Sequence, residues 1–428
     1  MKKIVILLIL LQGIAMSKGI EEVDVNGTKV PMVFEQSAYV PLISMQIVFK
    51  NSGAIYDKKT GLADMASKLL AEGTKKDGSV GFASKLENSA IHLSASAGNE
   101  TFSIQLSALK SEFDKALSLF QELLQDPNYT QETMEHITRQ KIGWLTQKES
   151  DFDYIASLGL KEILFKGTPL GRPRAGDLQS IESMRLDEIK HFIATHLGKN
   201  NAIVVIGGDI TLADAKRAVA SIVGLLPEVT LQESAYINAT DKKSLHKREA
   251  KTEQAYIYFG APYDFKYSDP NQYISKVVSY ILGGSGFGSR LMEEIRVKRG
   301  LAYSAYSRFV IDKTSSYLSG YLQTKLENEK EAQALVQTII EKFVAEGITQ
   351  KELDAAKEFL IGSEPLRGET LHQRLNRSYR EYYYERPLGY DKEQLKKIEA
   401  LKLDEINSFI KTHTEITQIS YSIVTAEK

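Results

Sequence analysis

Cysteine is absent from this 428-residue chain, and tryptophan occurs only once. Without thiols there can be no disulfide, no thiolate-held metal and no cysteine nucleophile. Histidine is sparse as well. The seven are scattered, and the closest two, His191 and His196, stand five apart, off a single helical face. None of them has metal-ligand spacing. Neither sign of charge is in excess: 54 Lys and Arg oppose 55 Asp and Glu, and there is no long basic run. Nucleic acid is therefore not an expected partner. No segment reaches the ~20 consecutive apolar residues of a membrane span.

The longest apolar run is also the first. Lys2 and Lys3 precede Ile4 to Leu11, and Ala15-Met16-Ser17 supplies small residues at a cleavage position. This order reads as a secretory signal peptide over 1–17, with the mature chain beginning at Lys18. The alternative is an uncleaved anchor. Loss of Lys2 and Lys3 leaves 52 basic against 55 acidic residues and a formal charge of −3. An exported chain without cysteine fits the periplasm of a double-membrane bacterium.

The remaining length exceeds a single core, and the sequence repeats itself. Leu186-Asp187-Glu188-Ile189 through Phe192-Ile193 to Thr195-His196 recurs at Leu403–His413, with eight identities in eleven positions at an offset of 217. Pro169-Leu170-Gly171 recurs at 387–389, and Thr130-Gln131 recurs at Thr349-Gln350, each pair opening a helix. Near-constant offsets in the same order indicate an internal duplication. Apolar periodicity predicts helices over 112–124, 131–148, 328–345 and 350–362. Alternation predicts strands at 43–49, 202–206, 255–259 and 418–424. Strands and helices that do not strictly alternate point to α+β: two homologous tandem modules, each an antiparallel sheet covered by helices. The expected boundaries are 18–225 and 253–428, joined by a polar linker over 226–252.

The segment Gly61-Leu62-Ala63-Asp64-Met65-Ala66-Ser67-Lys68, continuing to Gly73-Thr74, forms a helix on whose buried stripe lie Leu62, Met65, Ala66, Leu69 and Leu70. Asp64 and Lys68 share a face in the order that favours an i, i+4 ion pair. The segment resembles the helix of the pitrilysin- and insulinase-type zinc peptidases, which reads G-L-A-H-x-x-E-H-x-x-x-x-G-T. By that resemblance Asp64 and Lys68 replace the two zinc-binding histidines and Ser67 replaces the glutamate that acts as base. The family's third ligand, roughly 76 residues further on, falls at Trp144. An ammonium and an indole cannot serve a metal that needs His, carboxylate or thiolate donors, so no metal is expected in this chain.

Further on, Gly283-Gly284-Ser285-Gly286-Phe287-Gly288 leads to Arg296-Val297-Lys298-Arg299-Gly300-Leu301-Ala302-Tyr303. The glycines lack the lysine of a P-loop and the spacing of a dinucleotide fingerprint, so they read as a closely packed turn. The same family carries an Arg–Tyr pair at this spacing in its second module, where it holds substrate. A guanidinium and a phenol aimed at a scissile carbonyl stabilise the charge that hydrolysis develops there. By the same resemblance, substrate adds as a strand near Leu93, Ser94, Ala95 and Ser96.

These readings converge on a zinc-free subunit that supplies Arg296 and Tyr303 to a homologous partner bearing H-x-x-E-H and zinc. Such a pair would resemble the mitochondrial processing peptidase subunits and act on peptides or unfolded polypeptide. The alternatives are a catalytically inactive peptide-binding or scaffold subunit of an envelope complex, and a self-sufficient peptidase of unusual chemistry. For the last, no nucleophile or metal set is evident.

Overall fold

The computed structural model describes residues 18–233 and 235–427, so the expected signal peptide lies outside the described residues. Six strands form the first sheet: β1 (Lys18–Val25), β2 (Thr28–Gln36), β3 (Leu42–Lys50), β4 (His92–Ala97), β5 (Thr101–Leu109) and β6 (Ala202–Gly208). They lie in the order β1-β2-β6-β3-β5-β4. Five form the second: β7 (Leu245–Glu249), β8 (Gln254–Pro262), β9 (Ala302–Ile311), β10 (Ser316–Lys325) and β11 (Ser420–Thr425), in the order β7-β11-β8-β10-β9. Without β1, the two orders superimpose strand for strand. Each sheet is antiparallel apart from one parallel pair, β2 with β6 and β7 with β11.

That equivalence amends the domain reading. Residues 245–249, inside the segment expected to be a linker, are strand β7, the counterpart of β2. Its side chains are exposed throughout, so Leu-His-Lys-Arg-Glu carries no apolar alternation. Backbone pairing to β11 holds it in place.

The helices follow the expected periodicity closely. Two run Gln131–Lys148 and Gln350–Gly362, and the repeated Thr-Gln pairs prove to be their starts. Thr130 and Thr349 accept hydrogen bonds from the backbone N–H groups of Thr133 and Glu352, satisfying donors that the first turn leaves unpaired. The other two run Phe113–Gln125 and Glu329–Glu346.

The modules interlock by exchanging equivalent helices. The first module's helix Phe152–Leu164 lies on β8 and β11 of the second sheet, and Leu160 and Leu164 pack with Tyr317 and Tyr258. In return, Leu371–Tyr383 lies on β2 and β6, and Leu375 and Tyr383 pack on Val33, Ile203 and Val205. Both β6 and β11 are thereby covered on two faces, and both are buried along their whole length. Gly159 permits the closest approach, since a Cβ there would stand 2.3 Å from Ser422 Oγ. Polar contacts add to this seam. Buried Glu100 accepts from Thr314 N and Oγ1, both at 2.7 Å, and from Tyr383 Oη at 2.8 Å.

Candidate functional site

The helix carrying Asp64 runs Leu62–Leu70, with all five apolar positions of the expected stripe buried. Before it, Asp57 Oδ1 accepts from Ala63 N at 2.9 Å, while Oδ2 is buried without a hydrogen-bond partner among the described residues. Burial pushes the Asp57 carboxyl up to about 7, against hydrogen bonds from Ala63, Leu62 and Gly61 that favour the anion.

The expected Asp64–Lys68 pair does not form. Lys68 is exposed and makes no ion pair among the described residues, whereas Asp64 Oδ2 takes Lys141 Nζ at 2.6 Å. An exposed i, i+4 pair stabilises by only about 0.2–0.5 kcal/mol. Lys141 is nearly buried, and an ammonium leaving water requires a carboxylate. Lys141 was not singled out by the motif, although a signal existed. It stands in the apolar stripe Met134, Ile137, Lys141, Leu145 of its helix, where a core residue belongs.

The same ammonium lies 4.5 Å from the centre of the Trp144 ring, whose edge contacts Tyr154. Thus Asp64, Lys141 and Trp144 do gather, around a cation that the chain supplies itself. Ser67 is buried and donates to Asp64 O at 2.7 Å, a local backbone contact. Among the described residues no group of three or more His, Asp or Glu stands ready for a metal. The one carboxylate at these positions is already neutralised, so these residues do not fit a zinc ion.

The second site lies at the start of β9. The helix that precedes it ends in a π-turn, Glu293–Val297, bearing Arg296. The chain then reverses at Gly300, whose φ of +64° is left-handed. Gly300 N and Leu301 N donate to the Arg296 and Ile295 carbonyls, each at 2.9 Å. Pairing between β9 and β10 slips by one residue between Leu322 and Thr324. At this bulge Ala302 and Ala305 both face the core, and Tyr303 turns outward with 80% exposure.

As a result Arg296 and Tyr303 meet. The guanidinium lies 4.3 Å from the Tyr303 ring and 4.5 Å from the Phe287 ring, held between the two. Cation–π contacts of this exposed kind contribute about 0.5–1 kcal/mol each, enough to orient a side chain. Phe287, the third member, comes from the glycine-rich turn. Among the described residues neither the guanidinium nor the phenol hydroxyl has an ion pair or hydrogen bond, so their polar groups are available to a ligand. Leu93, Ser94, Ala95 and Ser96 lie on β4, the terminal strand of the first sheet, paired among the described residues to β5 alone.

Two family descriptions match this sequence. Residues 32–178 match Insulinase (Peptidase family M16), and residues 183–360 match the Peptidase M16 inactive domain. A Helicobacter pylori protein named non-peptidase homolog YmxG is 42% identical over 100% of this chain and 99% of its own length. The chain belongs to the M16 family. Among solved structures, a peptidase M16 inactive domain from Pseudomonas fluorescens matches with a TM-score of 0.87 at 24% identity, over 96% of this chain and 98% of that one. A protease from Helicobacter pylori matches with a TM-score of 0.81 at 17% identity, over 96% and 100%. The two-module fold is thus shared over 96% of this chain.

Proposed function

We propose that this chain is the zinc-free subunit of a two-chain M16 metallopeptidase in the periplasm, holding the substrate backbone with Arg296 and Tyr303. The observation that carries this reading is the Arg296–Tyr303 pair, stacked at 4.3 Å, with Tyr303 exposed, Arg296 half-buried and neither polar group hydrogen-bonded or ion-paired among the described residues. A partner with H-x-x-E-H contributes the metal and its water. This chain contributes a cation and a phenol O–H to the oxyanion and walls that exclude water. The partner has the same fold. Helicobacter pylori, source of the 42% identical relative, is also the source of a solved protease structure of this fold.

The rival reading is a peptide-binding or scaffold subunit without proteolysis, and the relative's name, non-peptidase homolog, favours it. Purification of the tagged chain from its native envelope, followed by mass spectrometry and a fluorogenic peptide assay, separates the two. A one-to-one complex with an H-x-x-E-H homologue, active and sensitive to chelation, is expected. Recovery as a homodimer, or in an inactive assembly without such a homologue, would favour the scaffold.

A further inference from the structure

A cavity of about 1170 Å³ opens between the two modules, away from the Arg296–Tyr303 pair. Its walls come from the β4–β5 turn, the C-terminal end of β9 and the exchanged helix Leu371–Tyr383, among others. Eight cationic and four acidic side chains line it, in a chain whose overall formal charge is −1. The acids are largely committed. Glu100 is held by Thr314 and Tyr383, and Glu364 pairs with Arg377 at 2.8 Å. Burial, then the charge of Glu100, pushes the Asp312 carboxyl up to about 6.

The cations are not committed to the same degree. Arg174, Arg308 and Arg380 are exposed to this space and form no ion pair or hydrogen bond among the described residues. Lys276 lies below the ordinary lysine value, through burial and then the neighbouring charge of Arg367. Uncompensated positive charge in a concave wall attracts anions. Seven tyrosines, including Tyr273, Tyr280 and Tyr390, add flat apolar faces and hydroxyl groups.

We propose that this cavity binds an extended acidic peptide segment, whose carboxylates pair with Arg174, Arg308 and Arg380. Two features favour a peptide over a small anion. The cavity exceeds the ~300–1,000 Å³ of ordinary small-molecule sites. It also continues the proposed substrate path. Tyr303 and Arg308 are five residues apart on β9, about 17 Å along the strand, with exposed Tyr306 between them. A peptide held at Tyr303 therefore reaches Arg308 within five or six residues. This inference rests on the substrate-holding role proposed above and adds the chemical class of the substrate.

The test is fluorescence anisotropy on the full mature chain with labelled peptides of equal length, one Glu-rich, one neutral and one Lys-rich. The acidic peptide should bind at least about tenfold more tightly than the others, a difference of about 1.4 kcal/mol, and should weaken as salt rises. Arg308→Ala combined with Arg380→Ala should abolish that preference while leaving neutral-peptide binding unchanged. Among the described residues neither side chain forms an ion pair, and an unchanged circular dichroism spectrum confirms that the variant is folded. Equal binding of the three peptides, or an unaltered preference in the variant, would overturn the proposal. So would inorganic triphosphate binding where the acidic peptide does not. If the charge preference fails while Tyr303→Phe still impairs a reconstituted peptidase, only the acidic class falls. If the preference holds and no zinc-bearing partner exists, the peptidase role falls instead.

Discussion

At the residue scale, the first module's helix Leu62–Leu70 is tied to its neighbour through Lys141. Its ammonium is nearly buried and neutralises Asp64 at 2.6 Å, so removing it strands a carboxylate that is only 19% exposed. Breaking a fully buried pair costs about 3–5 kcal/mol. Because Asp64 keeps some contact with water, Lys141→Ala should lower the unfolding free energy in urea by about 2–3 kcal/mol. Asp64→Leu combined with Lys141→Met should recover most of this, because apolar residues of similar volume often replace a buried pair at little cost. A single variant within experimental error of the parent would show that the pair is incidental.

Asp57 gives a second test, readable in pH. Burial raises its carboxyl from 3.8 to about 7 in the folded chain, so the folded state holds the proton more tightly than the unfolded state. Its contribution is full below pH 3.8, is lost as pH rises towards about 7, and is constant above that. Asp57→Asn cannot titrate. Its stability relative to the parent should therefore climb between pH 4 and 7 and then level off, as measured by urea titrations across that range. A difference independent of pH would contradict the assignment.

At the scale of elements, exchange of the helices 152–164 and 371–383 binds the modules into one body, and Gly159 is the point where it is tightest. Gly159→Val should crowd Ser422 and destabilise by about 1–3 kcal/mol. Ser422→Gly should relieve part of that loss in a double-mutant cycle on thermal unfolding. Strict additivity would mean that the two do not touch.

Most elements were legible beforehand because their own residues dictate them. Thr130 and Thr349 cap helices whose buried faces are visible in the sequence, and the duplication was plain in Leu186–His196 and Leu403–His413. Strand β7 was not legible, since five exposed side chains carry no pattern and pairing to the edge of β11 defines it. The helix exchange was equally hidden. Leu160 and Leu375 announce an apolar face without saying which sheet will cover it. The site divides in the same way. Arg296 and Tyr303 are found by spacing, but Phe287 joins them only through the fold of the glycine turn. Lys141 reaches Asp64 across 77 residues of sequence.

At the scale of the whole molecule, one M16 chain presents an Arg–Tyr pair in its second module, and in its first presents a helix whose Asp64 is paired with Lys141 of a neighbouring helix. The central claim is that this asymmetry divides one peptidase site between two chains. The most direct measurement uses the reconstituted pair, with the parent chain or with Tyr303→Phe or Arg296→Ala, following peptide hydrolysis while the complex and the partner's zinc are quantified. The account predicts a loss of about 10²–10³ in kcat/KM for each variant, the usual effect of removing an oxyanion donor, with assembly and zinc unchanged. The loss falls on kcat if the contacts strengthen as charge develops, and on KM if they only hold the peptide. Full activity of both variants in an intact complex would contradict it, leaving the Arg–Tyr pair without a part in catalysis.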